Sequence, residues 1–164
     1  MSELRLRELL ARLVDAGVDF VLVGGLAVNA WGHVRGTRDV DLVPDPAAEN
    51  LDRLATVLEE LGGRVETAEG RLAPSAIATF LRAGDRALVA TTLGPVDVLQ
   101  GLPQVPAYAE LRTEAVAVEL EELEELGVMV CSLRHLRAMK GASDRPQDVE
   151  DLRALDLGHG GSGG

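Results

Sequence analysis

Three aspartates are the residues of this chain best suited to chemistry. Asp39 and Asp41 alternate with apolar residues, a pattern typical of a β-strand with both acids on one face, and Asp97 lies between two valines in a later strand-like run. Neighbouring carboxylates repel each other, and a divalent cation such as Mg²⁺ removes that repulsion because it takes oxygen ligands. If the two strands pair side by side, the three acids form a site for two metals. Such a site serves phosphoryl or nucleotidyl transfer: one metal activates an attacking hydroxyl and the other binds a triphosphate.

Each of these acids also has a plainer interpretation. Asp39 and Asp41 could form an exposed polar strand face neutralised by Arg35 and Arg38, and Asp97 could simply face solvent. The sequence alone leaves both interpretations open.

A glycine pair adds a candidate anion site. Gly24 and Gly25 follow the strand-like run 20–23 and precede a helical segment, so backbone N–H groups can face an anion and no Cβ blocks its approach. A phosphate group would fit such a turn. An ordinary tight turn between strand and helix is the alternative.

The hydrophobic pattern predicts the elements that must position these residues. Helical spacing predicts helices over 6–17, 26–31, 46–61, 132–140 and 146–155, with a short one near Tyr108. Strand-like runs lie at 20–23, 40–43, 64 onward, 77–81, 86–92, 95–99, 115–120 and 128–130, and Leu93-Gly94 predicts a hairpin between 86–92 and 95–99. This order predicts an α/β (α+β) fold, a small mixed sheet carrying the acids and covered by helices mainly on one side. Residues 1–157 would form one domain, followed by a disordered glycine-rich tail over 158–164.

Composition narrows the functional classes. The net charge of -11 opposes non-specific binding to DNA, and the few aromatic residues argue against a base-stacking surface. The single cysteine, Cys131, excludes an internal disulfide and is expected to be a buried apolar residue, and no apolar stretch is long enough to span a membrane. We therefore expect a cytoplasmic protein. His33, His135 and His159 lack metal-ligand spacing and are expected at the surface or at helix ends.

Taken together, these motifs resemble those of a known superfamily. Residues 20–43, FVLVGGLAVNAWGHVRGTRDVDLV, resemble the signature of the DNA polymerase β-like nucleotidyltransferases, and Asp97 matches their third acid on a later strand. The segment Arg35-Gly36-Thr37-Arg38 is similar to the form found in small bacterial members related to the abortive-infection AbiEii toxins and in minimal nucleotidyltransferases. The segments 132–140 and 144–152 also resemble that group, which often carries a Leu-x-x-x-Lys helix followed by an Arg-x-x-Asp segment.

The resemblance implies a metal-dependent enzyme that moves a nucleoside monophosphate from an NTP to a hydroxyl, with Mg²⁺ or Mn²⁺ as cofactor. Asp39, Asp41 and Asp97 would bind the metal, and Asp97 would help to deprotonate the acceptor hydroxyl. The residues expected to contact the nucleotide are Gly24, Gly25, Arg35, Thr37, Arg38 and Lys140. Lys140 is the only lysine among the 16 Lys and Arg residues, although it could also be a solvated helix residue.

The sequence leaves several functions open. The acceptor could be a protein, an RNA or a small molecule, and a role in a toxin–antitoxin pair would supply a protein partner. An aminoglycoside acceptor is a further enzymatic reading, favoured by the acidic charge. The alternative to an enzyme is a catalytically silent interaction module, antitoxin-like or regulatory, which the short chain favours.

Overall fold

The computed structural model describes residues 5–32, 38–118, 123–141 and 146–158. Within these ranges the chain forms seven α-helices, and each of them has at least one buried residue. In α3, for example, Leu51, Leu54 and Leu58 recur every three or four residues and are all buried. The helices are α1 (Leu6–Asp15), α2 (Gly24–Ala30), α3 (Ala48–Glu60), α4 (Ala76–Arg82), α5 (Tyr108–Glu114), α6 (Leu133–Gly141) and α7 (Pro146–Gly158), with a 3₁₀ turn at Glu124–Leu126.

Eight strands of the described residues form one mixed sheet, in the order β4-β3-β5-β6-β2-β1-β8-β7. The strands with parallel neighbours lie at the centre: β2 pairs in parallel with β6, and β1 in parallel with β8. All other pairs are antiparallel. The strands are β1 (Phe20–Val23), β2 (Val40–Pro44), β3 (Arg64–Thr67), β4 (Gly70–Arg71), β5 (Ala87–Ala90), β6 (Val96–Val98), β7 (Val116–Ala117) and β8 (Met129–Val130).

The core lies around the central strands. All four residues of β1 are buried, as expected for a strand that has neighbours on both sides and packing on both faces. Leu42 of the neighbouring strand β2 and Val98 of β6, the next strand beyond β2, are also fully buried. The predicted α/β fold with a mixed sheet is therefore confirmed, and so is the predicted hairpin, because β5 pairs with β6 antiparallel.

One predicted strand is wrong. Residues 77–81 form the middle of α4, not a strand. Ile77 and Leu81 are one helical turn apart and both are fully buried, so a single helix face explains the apolar run. A run of five residues is too short for its periodicity to separate a strand from a buried helix turn.

The other boundaries differ by small shifts. The Gly24-Gly25 pair does not form a separate turn, because these two residues are the first of α2. Ser132 accepts a hydrogen bond from the His135 N–H at 3.0 Å and so caps α6 as predicted. Gly158 is the last residue of α7, and the remainder of the predicted tail lies outside the described residues. Among the described helices, none is both long and apolar enough to cross a membrane.

Candidate functional site

Sheet register brings the three predicted carboxylates together. Asp41 of β2 lies directly beside Asp97 of the parallel strand β6. Asp39 precedes β2 and lies two residues from Asp41, so their side chains share a face. One oxygen from each of the three carboxylates lies within 4.8 Å of the others. Asp97 is 6% exposed, while Asp39 and Asp41 are half-buried, so solvent reaches the cluster mainly at Asp39 and Asp41.

A glycine stands where the cluster leaves no room for a side chain. Val23, the last residue of β1, pairs with Asp41, which places Gly24 against the Asp41 carboxylate. A Cβ at Gly24 would lie 2.0 Å from Asp41 Oδ2, and the residue has a φ of +64°, which disfavours any other amino acid. Gly24 therefore allows close approach of α2 to the acids, whatever binds there.

An arginine that the sequence analysis missed holds the third acid. Arg86, one residue before β5, donates from Nε to Asp97 Oδ1 at 3.0 Å and from a terminal nitrogen to Oδ2 at 2.7 Å. The hydrogen bond to Asp97 raises the pKa of the Arg86 guanidinium, partial burial opposes this, and the charges of Asp97, Asp41 and Asp39 add to the rise. Arg86 is thus a counter-charge for the whole cluster.

The carboxylates open into a cavity of about 960 Å³. Of the predicted nucleotide contacts, Gly24, Gly25, Arg38 and Lys140 line this cavity. Arg35 and Thr37 lie outside the described residues, and their roles stay predictions. A volume of this size is within the range of small-molecule sites.

The donor set fits a divalent metal ion. Three carboxylates within ligand distance of one another offer the oxygen ligands that Mg²⁺ and Mn²⁺ prefer. The bidentate Arg86 contact takes two of the roughly four lone-pair positions of the Asp97 carboxylate. Asp39, Asp41 and the remaining positions on Asp97 are the groups that would hold the ion.

Comparison with known proteins finds matches among solved structures. No protein-family model and no curated protein matches the sequence. Among solved structures, the antibiotic-resistance factor ANT(2'')-Ia in solution matches with a TM-score of 0.57 and 18% identity, over 94% of this chain and 84% of that one. ANT(2'')-Ia in complex with adenylyl-2''-tobramycin matches with a TM-score of 0.56 and 19% identity, over 93% and 86% of the two chains.

A third structure matches over nearly the whole of both chains. A Thermotoga maritima protein, provisionally classed as a nucleotidyltransferase, matches with a TM-score of 0.55 and 17% identity, over 94% of this chain and 95% of that one. This chain has the nucleotidyltransferase fold. At these identities the likeness is one of fold.

Within this nucleotidyltransferase fold, the predicted phosphate contact Lys140 is already paired. Lys140 on α6 is 6% exposed, and its Nζ lies 2.7 Å from Asp148 Oδ1 and 3.1 Å from Asp151 Oδ2 on α7. Gln147 donates to Asp151 at 2.9 Å, and the position of Asp148 in the first turn of α7 places it near the positive end of the helix dipole. The reading of Lys140 as a solvated helix residue is therefore wrong. Its charge links α6 to α7 in the cavity wall.

The structure also tests what the sequence predicted for Cys131 and His135. Cys131 is fully buried, as predicted, and burial raises the pKa of its thiol to about 12. His135 is only 2% exposed, so the expected surface position is wrong, while the alternative of a helix end holds because His135 lies in the first turn of α6. Its Nε2 lies 3.7 Å from a carboxylate oxygen of Glu114 on α5, which brings this histidine to a helix–helix contact and not to the carboxylate cluster.

Proposed function

We propose that the protein is a metal-dependent nucleotidyltransferase that moves a nucleoside monophosphate from an NTP to a hydroxyl group. One observation carries the proposal: three carboxylates on adjacent strands lie within 4.8 Å of one another and open into a cavity of about 960 Å³. The nucleotidyltransferase fold of the chain supports it. Here the fold and the site point to the same reaction. The same acid cluster in an unrelated fold would support the proposal far less.

In this proposal the residues divide the chemistry between them. Divalent metal held by Asp39, Asp41 and Asp97 would supply charge for the triphosphate and lower the pKa of the attacking hydroxyl. The acceptor oxygen forms a bond to the α-phosphorus, and the bond from that phosphorus to the bridging oxygen breaks to release pyrophosphate. An Asp97 carboxylate oxygen takes the proton from the acceptor hydroxyl. Because Arg86 donates to both oxygens of Asp97, the proton must go to a lone pair that the guanidinium leaves open or replace one of its two hydrogen bonds.

The phosphate contacts follow from the cavity lining. Gly24 and Gly25 begin α2, whose first N–H groups have no partner within the helix and can donate to phosphate oxygens. Arg38 lines the same cavity and offers a charged donor. Arg35 and Thr37 precede it in the chain and are assigned the same role from the sequence motif. Lys140 would contact phosphate only by exchanging one of its two aspartate partners.

The acceptor is a hydroxyl of a protein, an RNA or a small molecule. The AbiEii-like sequence motif supports a place in a toxin–antitoxin system, in which a protein would be the natural partner. A second candidate is an aminoglycoside. The cavity is lined by several acids that suit a polycation, and two of the compared structures are of ANT(2'')-Ia, one of them with adenylyl-2''-tobramycin.

Calorimetric titration of each NTP with Mg²⁺ tests the proposal without knowledge of the acceptor. We expect binding that requires metal and that is lost in the double variant Asp39→Asn/Asp41→Asn, because the amides cannot replace the anionic ligands. Asp52→Asn is the matched control. Asp52 is exposed, pairs with Arg82 on the surface and does not line the site cavity, so this variant should bind as the wild type does.

Transfer itself is then measured with α-labelled NTP and candidate acceptors, tobramycin included. Each single aspartate variant should lower the rate on the order of 10²–10³-fold, the range seen when one transition-state stabiliser is removed. An unchanged rate in Asp39→Asn and Asp41→Asn would refute the enzyme assignment. Absence of NTP binding to the wild type, with recovery of one stoichiometric protein partner, would favour the silent interaction module.

A further inference from the structure

Asp97 has two uses that compete with each other. As a metal ligand and proton acceptor it must offer its oxygens to the reacting groups. In the structure both of these oxygens accept hydrogen bonds from Arg86, at 3.0 and 2.7 Å, in a bidentate contact. Contacts of this kind are among the strongest that a carboxylate makes with a side chain. Any group that uses Asp97 fully must therefore displace Arg86 or share the carboxylate with it.

The position of Arg86 favours its displacement by a metal ion over sharing of the Asp97 carboxylate. The guanidinium is bound to Asp97 and lines the cavity together with Asp39 and Asp41, whose negative charges also act on it. Two positive groups on one carboxylate repel each other, and at short range in a partly buried site this repulsion is weakly screened. The Arg86 side chain is 52% exposed, so it can leave the cluster without first unpacking the core.

A displaced Arg86 would find a new anion close by. Arg86 and Gly24 line the same cavity, the one assigned above to the triphosphate. A guanidinium makes the same forked contact with a phosphate as with a carboxylate. Metal alone brings no new anion for Arg86, whereas metal with a triphosphate does.

We propose that Arg86 is a positioning residue that exchanges between Asp97 and the triphosphate, so that metal and NTP bind together and metal alone binds weakly. This inference rests on the proposed function. Without nucleotide, Arg86 weakens the binding of metal. With NTP bound, Arg86 strengthens the binding of metal. Coupling of this kind is reciprocal, because whatever NTP does to metal affinity, metal must do to NTP affinity.

The test compares binding of Mn²⁺ alone, followed by electron paramagnetic resonance of the free ion, with calorimetric binding of the four Mn²⁺–NTP complexes. In Arg86→Gln we expect Mn²⁺ alone to bind at least about fivefold more tightly and the tightest Mn²⁺–NTP complex at least about fivefold more weakly, the lower end of typical coupling between sites. Arg86→Lys keeps the charge and loses the fork, so Mn²⁺ affinity should lie between those of wild type and Arg86→Gln.

Arg82→Gln is the matched control, because Arg82 also donates from two nitrogens to an aspartate, Asp52, but on the surface. It should change neither affinity. Circular dichroism checks that each variant is folded. Opposite changes in the two affinities of Arg86→Gln would support the exchange. Loss of both affinities would overturn it in favour of a purely structural Arg86, and so would no change in either. If the wild type binds no Mn²⁺–NTP complex, the proposed function falls first and this inference falls with it.

Discussion

Two ion clusters line the same cavity and are built in opposite ways. In the first, which we call the open cluster, Asp39, Asp41 and Asp97 share the half-exposed Arg86. In the second, the buried cluster, Lys140 pairs with two aspartates of α7, and the side chains of all three residues are at most 7% exposed. Water reaches the first cluster and is nearly excluded from the second.

This difference in exposure separates exchangeable charges from fixed ones. A solvated arginine can change partners at small cost because water and a ligand replace its hydrogen bonds. A buried ammonium cannot, since removal of its partners leaves an uncompensated charge in a poorly solvated site. We therefore expect changes in the open cluster to act on binding and catalysis, and changes in the buried cluster to act on the stability of α6 against α7.

The largest effect, on the free energy of unfolding, is expected when a substitution breaks the buried cluster. Lys140→Met keeps the length of the side chain but removes its charge, leaving the carboxylates of Asp148 and Asp151 buried without this cation. Loss of one member of a buried ion cluster costs about 3–5 kcal/mol of unfolding free energy. Urea unfolding followed by circular dichroism measures it.

The matched control for Lys140→Met is Arg82→Met, which breaks an exposed pair with Asp52 and should cost less than about 1 kcal/mol. Equal stability of the two variants would contradict the division into fixed and exchangeable charges. Such a result would mean that Lys140 is free to leave its aspartates, and would strengthen its assignment as a phosphate contact.

A second prediction tests whether the open cluster needs the close packing of Gly24 against Asp41. Gly24→Ala should lower nucleotidyl transfer by about 100-fold, because a Cβ 2.0 Å from Asp41 Oδ2 must push that carboxylate out of place. Gly17→Ala is the control. Gly17 has a similar φ of +76°, but its nearest neighbour for a Cβ is a flexible Arg53 side chain at 3.9 Å.

Both alanine variants carry the cost of a positive φ, about 1–2 kcal/mol each. The difference between them isolates the contact with Asp41. If the metal affinity of Gly24→Ala equals that of Gly17→Ala, the Asp41 carboxylate is mobile and the packed arrangement around it is not required for metal binding.

The sequence predicts the acids of the open cluster better than their partner. Asp39 and Asp41 are visible because a two-residue spacing on a strand puts both side chains on one face. Asp97 is visible as an acid between two valines in a strand-like run, but its place beside Asp41 entered only as a condition. Arg86 is not visible, because its contact depends on hairpin register. A two-residue turn at Leu93-Gly94 would pair Arg86 with Gly101, far along the strand from Asp97. The observed register pairs Ala87 with Val98 and puts Arg86 on the diagonal from Asp97, on the same face.

The buried cluster was hidden for a different reason. Lys140 belongs to α6 and its aspartates to α7, and local patterns contain no information on how two helices pack. The same applies to His135, whose burial against α5 is a tertiary contact. The strand predicted at 77–81 is wrong for a local reason, because the two buried residues of this run fit one helical turn as well as they fit a strand. Composition and spacing thus specify the elements, while partners across elements depend on register and packing.

The smallest expected effect on stability comes from Cys131, whose thiol also reports how dry the surroundings of α6 are. Burial raises the pKa of the Cys131 thiol from 9.0 to about 12, although a backbone hydrogen bond and the charge of Lys140 act in the opposite direction. Only the thiolate reacts with alkylating agents. At pH 9, native protein should therefore react with iodoacetamide on the order of 10³-fold more slowly than protein unfolded in urea.

The raised pKa also fixes the sign of a stability change. Above pH 9 the unfolded thiol loses its proton while the folded one keeps it, so the folded state binds more protons and stability falls as pH rises toward about 12. The slope reaches about 1.4 kcal/mol per pH unit for this one group, and Cys131→Ala should remove it from urea unfolding curves at pH 9 to 10.5. A thiol that reacts at similar rates in the native and unfolded states would show that water reaches the interior beside α6, where the thiol senses the charge of Lys140. In that case the contrast between the two clusters would be one of geometry and not of solvation, and the stability cost expected for Lys140→Met would fall to that of an exposed pair.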